Sequence, residues 1–584
     1  MSHSEISASA KGYAVSLPLA LRRTLQLHSQ RQLAQIIRQN SQTTFFQESS
    51  LLSTLKSSIK LEELFLVLCS ENEDQSLTDT FLRSVPCSSQ QDYHPFVSRF
   101  FEPTCYASSV NNLLAPGLPD FIAHTSGTSG GVPKIFPKYH NEMFLTSPFA
   151  MPQVPYCRLS NIQHARMIEL VDGEGRVITS IPLCTLSAGF ALTLTSNQQK
   201  ASSSKASFNS SPADVSFIPS YMSCLFMHAQ FALLDSSLVV IQANYASLVI
   251  DFLRILEEYW DIMIDAIESG RLPEIYATDD QIKLLQPHFR KDTQRAQALR
   301  NILKGKQGWL REVWPSLSIL KTVTSGGYSS SIPKLYYHFG QSIKIHSVYY
   351  MATESTVGLA YDPDNDTNIY KVNDEEHIEY LALNNSEGEA TIVQAWDVVC
   401  NEKYEIISTT RDGLWRYRLG DVVEIAGFDP VDGQPLVRYV ERREASIRIG
   451  SVLISEKELQ VAITYLSGLL GDISEFTSMI DERLVPPTCG LLVELGGASG
   501  IPSTNVRQQL HQHFLITNPG YKKAVDSSAI EMPTIQILHP GTFQEYRAWK
   551  TSLTDAAIGQ VKIPSVLMAQ DAIDWFTKRV SSEI

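Results

Sequence analysis

The stretch His124-Thr-Ser-Gly-Thr-Ser-Gly-Gly-Val-Pro-Lys-Ile-Phe-Pro137 decides how the chain is read. It sets Thr125, Ser126, Thr128 and Ser129 among three glycines, Gly127, Gly130 and Gly131, and places Lys134 just behind Pro133. Glycine leaves backbone N–H groups unshielded and permits positive φ, so successive amides can converge on an anion. The hydroxyls add donors and the lysine adds charge. The P-loop order G-x-x-x-x-G-K-[ST] is absent, because a proline precedes Lys134. Two readings stay open on these residues alone: a surface linker, or a cradle for a phosphate chain. The apolar runs Asp120-Phe-Ile before it and Ile135-Phe-Pro after it predict a strand, a loop and a second strand.

The chain around this stretch has 584 residues, 43% hydrophobic and 19% charged, the make-up of a core-forming globular protein. Such a length predicts roughly two to four domains. The formal net charge of -14 disfavours nucleic acid and anionic membrane surfaces, which need a surplus of Lys and Arg. A few local donors still suffice for ATP. Eight cysteines are scattered singly, with neither zinc-ligand spacing nor a disulfide framework. No apolar run reaches the about 20 residues of a bilayer span. The composition reads as a soluble cytoplasmic protein.

Residues 18–70 read as helical, with apolar residues at helical spacing in "LLSTLKSSIKLEELFLVL". The Ser-rich segment 196–212 reads as a loop. Leu238–Ile241 reads as a buried strand, followed by one long helix with Phe252, Leu256, Tyr259, Met263 and Ile267 on its core face. Short β-branched runs follow, "ILKTVTSGG", "IKIHSVYYMATE", "ATIVQAW" and "YEIISTT", which suggest an α/β protein with one large mixed sheet. The turn-rich "DPVDGQP" after Phe428 marks a crossing into a second domain.

Three further stretches carry chemistry. In "VYYMATESTVG", Val348–Gly358, a strand ends in Tyr350, Thr353 and Glu354. Glu354 offers a hard oxygen for Mg²⁺, though on its own the stretch reads better as an ordinary sheet end with a solvated Glu. Tyr350 offers a face to a purine. "TVTSGG", Thr322–Gly327, gives a glycine turn suited to lie against a flat base. In "DGLWRYRLGDVVEIAGF", Asp421 follows Gly420 at a turn into a strand, where a carboxylate can accept both hydroxyls of a ribose. Arg416 and Arg418 alternate and share a face, the pattern also of structural ion pairs.

In this order, Thr-Ser-Gly-Thr-Ser-Gly-Gly-x-Pro-Lys, Tyr-x-x-Thr-Glu and Tyr-Arg-x-Gly-Asp, the motifs resemble the adenylate-forming superfamily. More closely they resemble the Gretchen Hagen family of acyl acid-amido synthetases, known for joining auxin and jasmonate to amino acids. "VPCSSQQDYHPFVSRF", "YEIISTTRDGLWRYRLGDVVEIAGF", "SEKELQVAI" and "GTFQEY…GQVKIPSV" extend the likeness over nearly the whole chain, most weakly at 140–215. Met351 and Ala352 depart from the plant members, and the chain looks closer to microbial ones.

The resemblance implies an α/β fold: a large N-terminal adenylate-forming domain with mixed sheets and helices, 1–428, and a smaller, mobile α+β C-terminal lid domain, 429–584. It implies that Ser126, Gly127, Thr128, Ser129, Gly130, Gly131 and Lys134 hold the triphosphate of ATP. Adenine would lie against Ser325, Gly326, Gly327, Tyr350 and Thr353, with Asp421 on the ribose and Glu354 beside Mg²⁺. Lys562, in "GQVKIP", matches a lysine that reaches the α-phosphate. Arg442, in "VERRE", lies near the hinge, with Arg443 an equal candidate. The implied substrates are a small carboxylic acid and an amine or amino acid, and the implied state is a monomer. Two alternatives remain: an acyl-CoA ligase using the same adenylate, and a nucleotide-binding regulatory pseudoenzyme. Intact Glu354, Asp421 and Lys562 weigh against the second.

Overall fold

Apolar residues at helical spacing fold Leu19–Asn40 into a helix that buries Leu25, Leu33, Ile36 and Ile37. Of the expected helical region 18–70, residues 60–70 lie outside the described ones, and the part up to 59 continues in short pieces. Thr43 and Ser49 accept backbone N–H bonds and each starts a new turn of helix, so Thr44–Glu48 and Ser53–Ser58 are separate. The computed structural model describes residues 12–59, 71–125, 134–139, 154–162, 166–201, 208–275, 277–325, 328, 331–362, 368–383, 391–443, 445–450, 452–496, 505–554 and 561–584.

The strands sort into several sheets in place of one large mixed sheet. A five-stranded mixed sheet contains Phe121–His124 and Ile135–Lys138. These two pair antiparallel, so the hydroxyl-rich stretch joins two neighbouring strands as expected. A four-stranded parallel sheet has the order Tyr156–Leu159, Val240–Tyr245, Ile319–Val323, Lys344–His346. An eight-stranded antiparallel sheet begins with Tyr349–Met351 and includes Tyr417–Phe428 and Pro435–Arg442. The reason lies in the connections. Helices separate the parallel strands, as crossovers require, whereas turns after Tyr349 allow antiparallel returns.

Two elements differ from their expected extents. The helix before the Ser-rich segment runs Leu186–Ala201, so it takes in residues 196–201; Gln and Ala there favour helix. The long helix after the Val240–Tyr245 strand is two, Ala246–Glu258 and Trp260–Ser269, which meet at Tyr259. Its expected core face holds: Phe252, Leu256, Met263 and Ile267 are buried.

One core joins the N-terminal helices to the antiparallel sheet through Phe45, Phe46, Phe81, Tyr93, Trp415 and Tyr417. A second surrounds the parallel sheet. The C-terminal part has its own core and a sheet of Ile473–Asp481, Thr488–Leu495, Thr534–Leu538 and Val580–Glu583. Phe428 ends a strand whose hairpin partner, Pro435–Arg442, returns along the same sheet. That sheet therefore continues to Arg442.

Candidate active site

A cavity of about 370 Å³ opens where the parallel sheet, the antiparallel sheet and the C-terminal part meet. Strand ends of a parallel sheet point their last residues into such a crevice. Ser325, Tyr350, Thr353, Glu354, Asp421, Arg442 and Lys562 all line it, although they come from five separate segments.

Asp421 lies within the Tyr417–Phe428 strand, not at its start, and is paired in register with Arg442. The Arg442 Nε lies 3.8 Å from its Oδ1, and the Tyr350 hydroxyl donates to its Oδ2 at 3.2 Å. Burial raises the Asp421 carboxyl above its ordinary value; the charges of Arg442 and Lys562 oppose this, and that of Glu354 adds to it. The Tyr350 ring packs against Tyr370 and Tyr439, at 5.6 and 5.9 Å between centroids. Arg443 points elsewhere: with Arg418 it binds Glu405, at 2.8 and 2.7 Å. Of the two hinge candidates, Arg442 is the one in the cavity. Arg416 serves an ion pair with buried Glu379, at 2.8 Å.

Glu354 sits in the turn between the strands Tyr349–Met351 and Thr356–Ala360, closed by the Ala352 N–H on the Ser355 carbonyl. Its backbone carbonyl accepts from Lys138 Nζ at 3.3 Å. Lys138 also meets Asp412 Oδ2 at 3.4 Å, and Asp412 Oδ1 accepts the Tyr139 N–H at 3.0 Å. This buried bridge ties the strand that leaves the hydroxyl-rich stretch to the turn that carries Glu354. Nothing in the sequence motifs pointed to Lys138, because its role depends on an approach across sheets.

At the base of the hydroxyl-rich stretch, Thr125 and Lys134 close the loop. The Lys134 N–H donates to Thr125 Oγ1, and the Thr125 N–H donates to the Lys134 carbonyl, both at 2.9 Å. Thr125 lines the cavity and Lys134 is not among its described walls. Ser126, Gly127, Thr128, Ser129, Gly130 and Gly131 lie outside the described residues, as do Gly326 and Gly327.

Lys562 reaches the cavity with its Nζ 5.8 Å from the centre of the Tyr328 ring, which stacks on Tyr245. Glu456 anchors its segment. Glu456 Oε1 accepts the Ser565 hydroxyl at 2.6 Å, and Oε2 accepts the Tyr439 hydroxyl at 3.0 Å. Glu456 was reached by no motif reading, though the capping box Ser455/Glu458 that starts its helix lies in "SEKE".

Among the described residues no three His, Cys, Asp or Glu side chains form a metal cluster. Mg²⁺ needs no such cage, since it commonly takes one or two carboxylates plus phosphate oxygens and water. Glu354 suits it: its Oε1 is buried without a hydrogen-bond partner among the described residues.

A profile described as the GH3 family N-terminal domain matches residues 20–344, and those for the central and C-terminal domains match 370–442 and 457–571. The chain belongs to the GH3 family. This GH3 protein is 24% identical over 534 residues to the probable indole-3-acetic acid-amido synthetase GH3.1 of Arabidopsis thaliana, covering 86% of each chain. It is 24% identical over 517 residues to the jasmonoyl–L-amino acid synthetase GH3.5 of Oryza sativa subsp. japonica, covering 83% of this chain and 86% of that one. Its fold is that of the solved GH3.15 acyl acid amido synthetase, with a TM-score of 0.75 at 20% identity over 97% of this chain and 96% of that one. No helix among the described residues of this GH3 chain is long and apolar enough to cross a membrane.

Proposed function

We propose that this chain is an AMP-forming acyl acid-amido synthetase, which activates a carboxylic acid with ATP and passes the acyl group to the amine of an amino acid. The observation that carries the reading is the meeting of Lys562 with Asp421, Glu354 and Thr353 in one cavity. A lysine brought from near the C-terminus to a ribose-type carboxylate serves a nucleotide whose α-phosphate is attacked.

In the first step a carboxylate oxygen of the acid attacks the α-phosphorus of ATP, and the bond from that phosphorus to pyrophosphate breaks. Negative charge grows on the α- and β-phosphate oxygens. The Lys562 ammonium donates to the α-phosphate, and the amides and hydroxyls of residues 126–131 with Lys134 hold the rest of the chain. Asp421 accepts the ribose hydroxyls, with Tyr350 and Arg442 orienting its carboxylate. Thr353 and Ser325, with Gly326 and Gly327 after it, are assigned to the base. Mg²⁺, when bound at Glu354 and the phosphates, supplies further charge neutralisation. In the second step the amine nitrogen attacks the acyl carbon, the bond to AMP breaks, and the nitrogen loses a proton to give the amide.

The proposed division of labour is a body that binds ATP and acid and a lid that follows it. The boundary expected at 428 is moved to Arg442, because Pro435–Arg442 pairs with the body's sheet. The test is pyrophosphate exchange into ATP over a panel of carboxylic acids, followed by AMP release with amino acids or CoA as acceptor. Acid-dependent exchange with amino-acid-dependent AMP release is expected. AMP release that needs CoA would make the chain a thioester-forming ligase, and nucleotide binding without exchange would make it a pseudoenzyme.

A further inference from the structure

Two adjacent strands of the parallel sheet end at the cavity. Val240–Tyr245 ends in Tyr245, whose register partner is Val323, the last residue of Ile319–Val323. Strand ends of such a sheet direct side chains into the crevice beyond them. Past Val323 the chain brings Tyr328 back against Tyr245, and the two rings stack with 4.9 Å between centroids and 16° between planes. Both tyrosines line the cavity, and Tyr328 is buried. Stacking and burial together fix the direction in which the ring faces.

The Lys562 ammonium lies over that ring, 5.8 Å from its centre. The attraction of a cation to a π face reaches to about 6 Å and needs no charge on the ring. The phenol stays neutral here, because burial, and after it the neighbouring Tyr245, raises its hydroxyl well above the ordinary value. The hydroxyl is buried without a hydrogen-bond partner among the described residues. What Tyr328 offers Lys562 is therefore its π face.

The two residues come from different parts of the molecule. Tyr328 follows a strand of the body, whereas Lys562 sits in the C-terminal part, where Glu456 Oε1 holds the nearby Ser565 hydroxyl at 2.6 Å. A lysine stem is long and flexible, so anchoring its backbone does not aim its ammonium. A carboxylate could aim it, and Asp421 lies within electrostatic reach. That carboxylate is assigned to the ribose, and any carboxylate partner competes with phosphate for the N–H donors. A ring face draws the charge in and leaves the N–H groups of the ammonium to phosphate oxygens.

Resting on the adenylating reading above, we propose that Tyr328 is a positioning residue for Lys562: its ring holds the ammonium where it donates to the α-phosphate, and releases it when the C-terminal part turns away for amide formation.

The test measures the two half-reactions separately on variants of the full chain. Tyr328→Leu removes the π face and keeps an apolar side chain. It should lower kcat for acid-dependent pyrophosphate exchange by about tenfold, between the exposed and the desolvated worth of such a contact. Amide formation from a presynthesised acyl-adenylate should stay within about twofold. Tyr328→Phe, which keeps the face, should restore exchange. In a Lys562→Ala background, read at raised enzyme concentration, Tyr328→Leu should cost no more than about twofold, since the ring then has no ammonium to hold. Thermal melts report folding, and Tyr328→Met replaces Tyr328→Leu if the latter melts early. Undiminished exchange in Tyr328→Leu would overturn the proposal, and so would a full tenfold loss that persists without Lys562, which would make Tyr328 a structural or acid-binding residue. A loss in Tyr328→Phe equal to that in Tyr328→Leu would give the role to the hydroxyl and overturn it too. In each of these outcomes acid-dependent exchange by the wild type still upholds the ligase. Its absence would remove the ligase reading and this one with it.

Discussion

Asp421 is held by one hydroxyl and one guanidinium, with Glu354 and Lys562 within electrostatic reach. If it accepts the ribose hydroxyls, Asp421→Asn should raise the KM for ATP and erase any preference over 2′-deoxy-ATP. A stranded partner typically costs about 1–3 kcal/mol, so roughly a five- to 150-fold effect is expected. Because burial raises this carboxyl, its neutral form persists to a higher pH than that of an ordinary aspartate. The acid-side rise in KM for ATP should therefore begin at a higher pH than a free carboxylate would give, and Asp421→Asn should flatten it. An equal efficiency with both nucleotides in the wild type would contradict the assignment. His228 gives a stability counterpart. It is buried between Ser211 Oγ at 2.9 Å and the Ser160 carbonyl at 3.0 Å, and burial lowers it from 6.5 to about 4. Between these values the unfolded chain binds a proton that the folded chain refuses. Stability from this group is thus complete above 6.5 and falls as pH drops toward 4, by at most about 1.4 kcal/mol per pH unit. Urea melts at pH 7 and pH 5 should differ less in His228→Gln than in the wild type.

Elements meet through residues whose meaning depends on neighbours far along the chain. Arg416 has φ 45°, just before the Tyr417–Phe428 strand, and its guanidinium binds Glu379 at 2.8 and 3.0 Å. It also donates to the carbonyls of Leu82 and Val85 at 3.0 and 2.7 Å, so it ties the Glu71–Ser84 helix to the sheet. Gly413 nearby has φ 89°, and a Cβ there would stand 2.0 Å from the Leu114 carbonyl oxygen. Arg416→Met leaves the Glu379 charge buried and should cost about 3–5 kcal/mol in a denaturant melt. Adding Glu379→Met should recover part of that loss, and a double variant as unstable as the sum would deny the coupling. The sequence made the pair's arginine visible but not its partner. The same holds across the fold and the site. The strands that flank the hydroxyl-rich stretch and the core face at Phe252–Ile267 are legible because each depends on a few adjacent residues. The sorting of strands into separate sheets is not, since it depends on which connections contain helices. That Lys562, Asp421, Glu354 and Thr353 would line one cavity was suggested only by the resemblance. The roles of Glu456, Lys138, Asp412 and Tyr328 were not legible, because contacts between distant segments create them.

At the scale of the molecule, the question is which body Lys562 belongs to. The segment that follows it is laced to the C-terminal sheet: Thr477 Oγ1 donates to the Pro564 carbonyl at 2.7 Å, the Ser478 N–H to the Ser565 carbonyl at 3.0 Å, and the Leu567 N–H to the Ser478 carbonyl at 2.7 Å. Any rotation of that sheet carries Lys562 with it. Two of the charged contacts that hold the C-terminal part in place differ in exposure. Lys334, half-buried, meets the exposed Asp472 at 3.0 Å across the junction, a pair open to solvent on one side. Beneath it, Arg547 binds Glu475, and the charge of Arg547 also acts on Asp251 and Tyr221 of the body. An exposed pair is worth about 0–1 kcal/mol, so Asp472→Ala should change either half-reaction by no more than about fivefold. In the proposed mechanism Lys562 acts on charge in the transition state of adenylation alone. Lys562→Ala should therefore lower pyrophosphate exchange by about 100-fold or more, the effect of one preorganised donor. Amide formation from a presynthesised acyl-adenylate should survive, because that step breaks the acyl bond to AMP and builds no new charge on an attacked phosphorus. The two half-reactions, measured separately on one preparation, decide the matter. An equal loss in both would place Lys562 at work throughout the cycle and would leave the rotating lid without its reason.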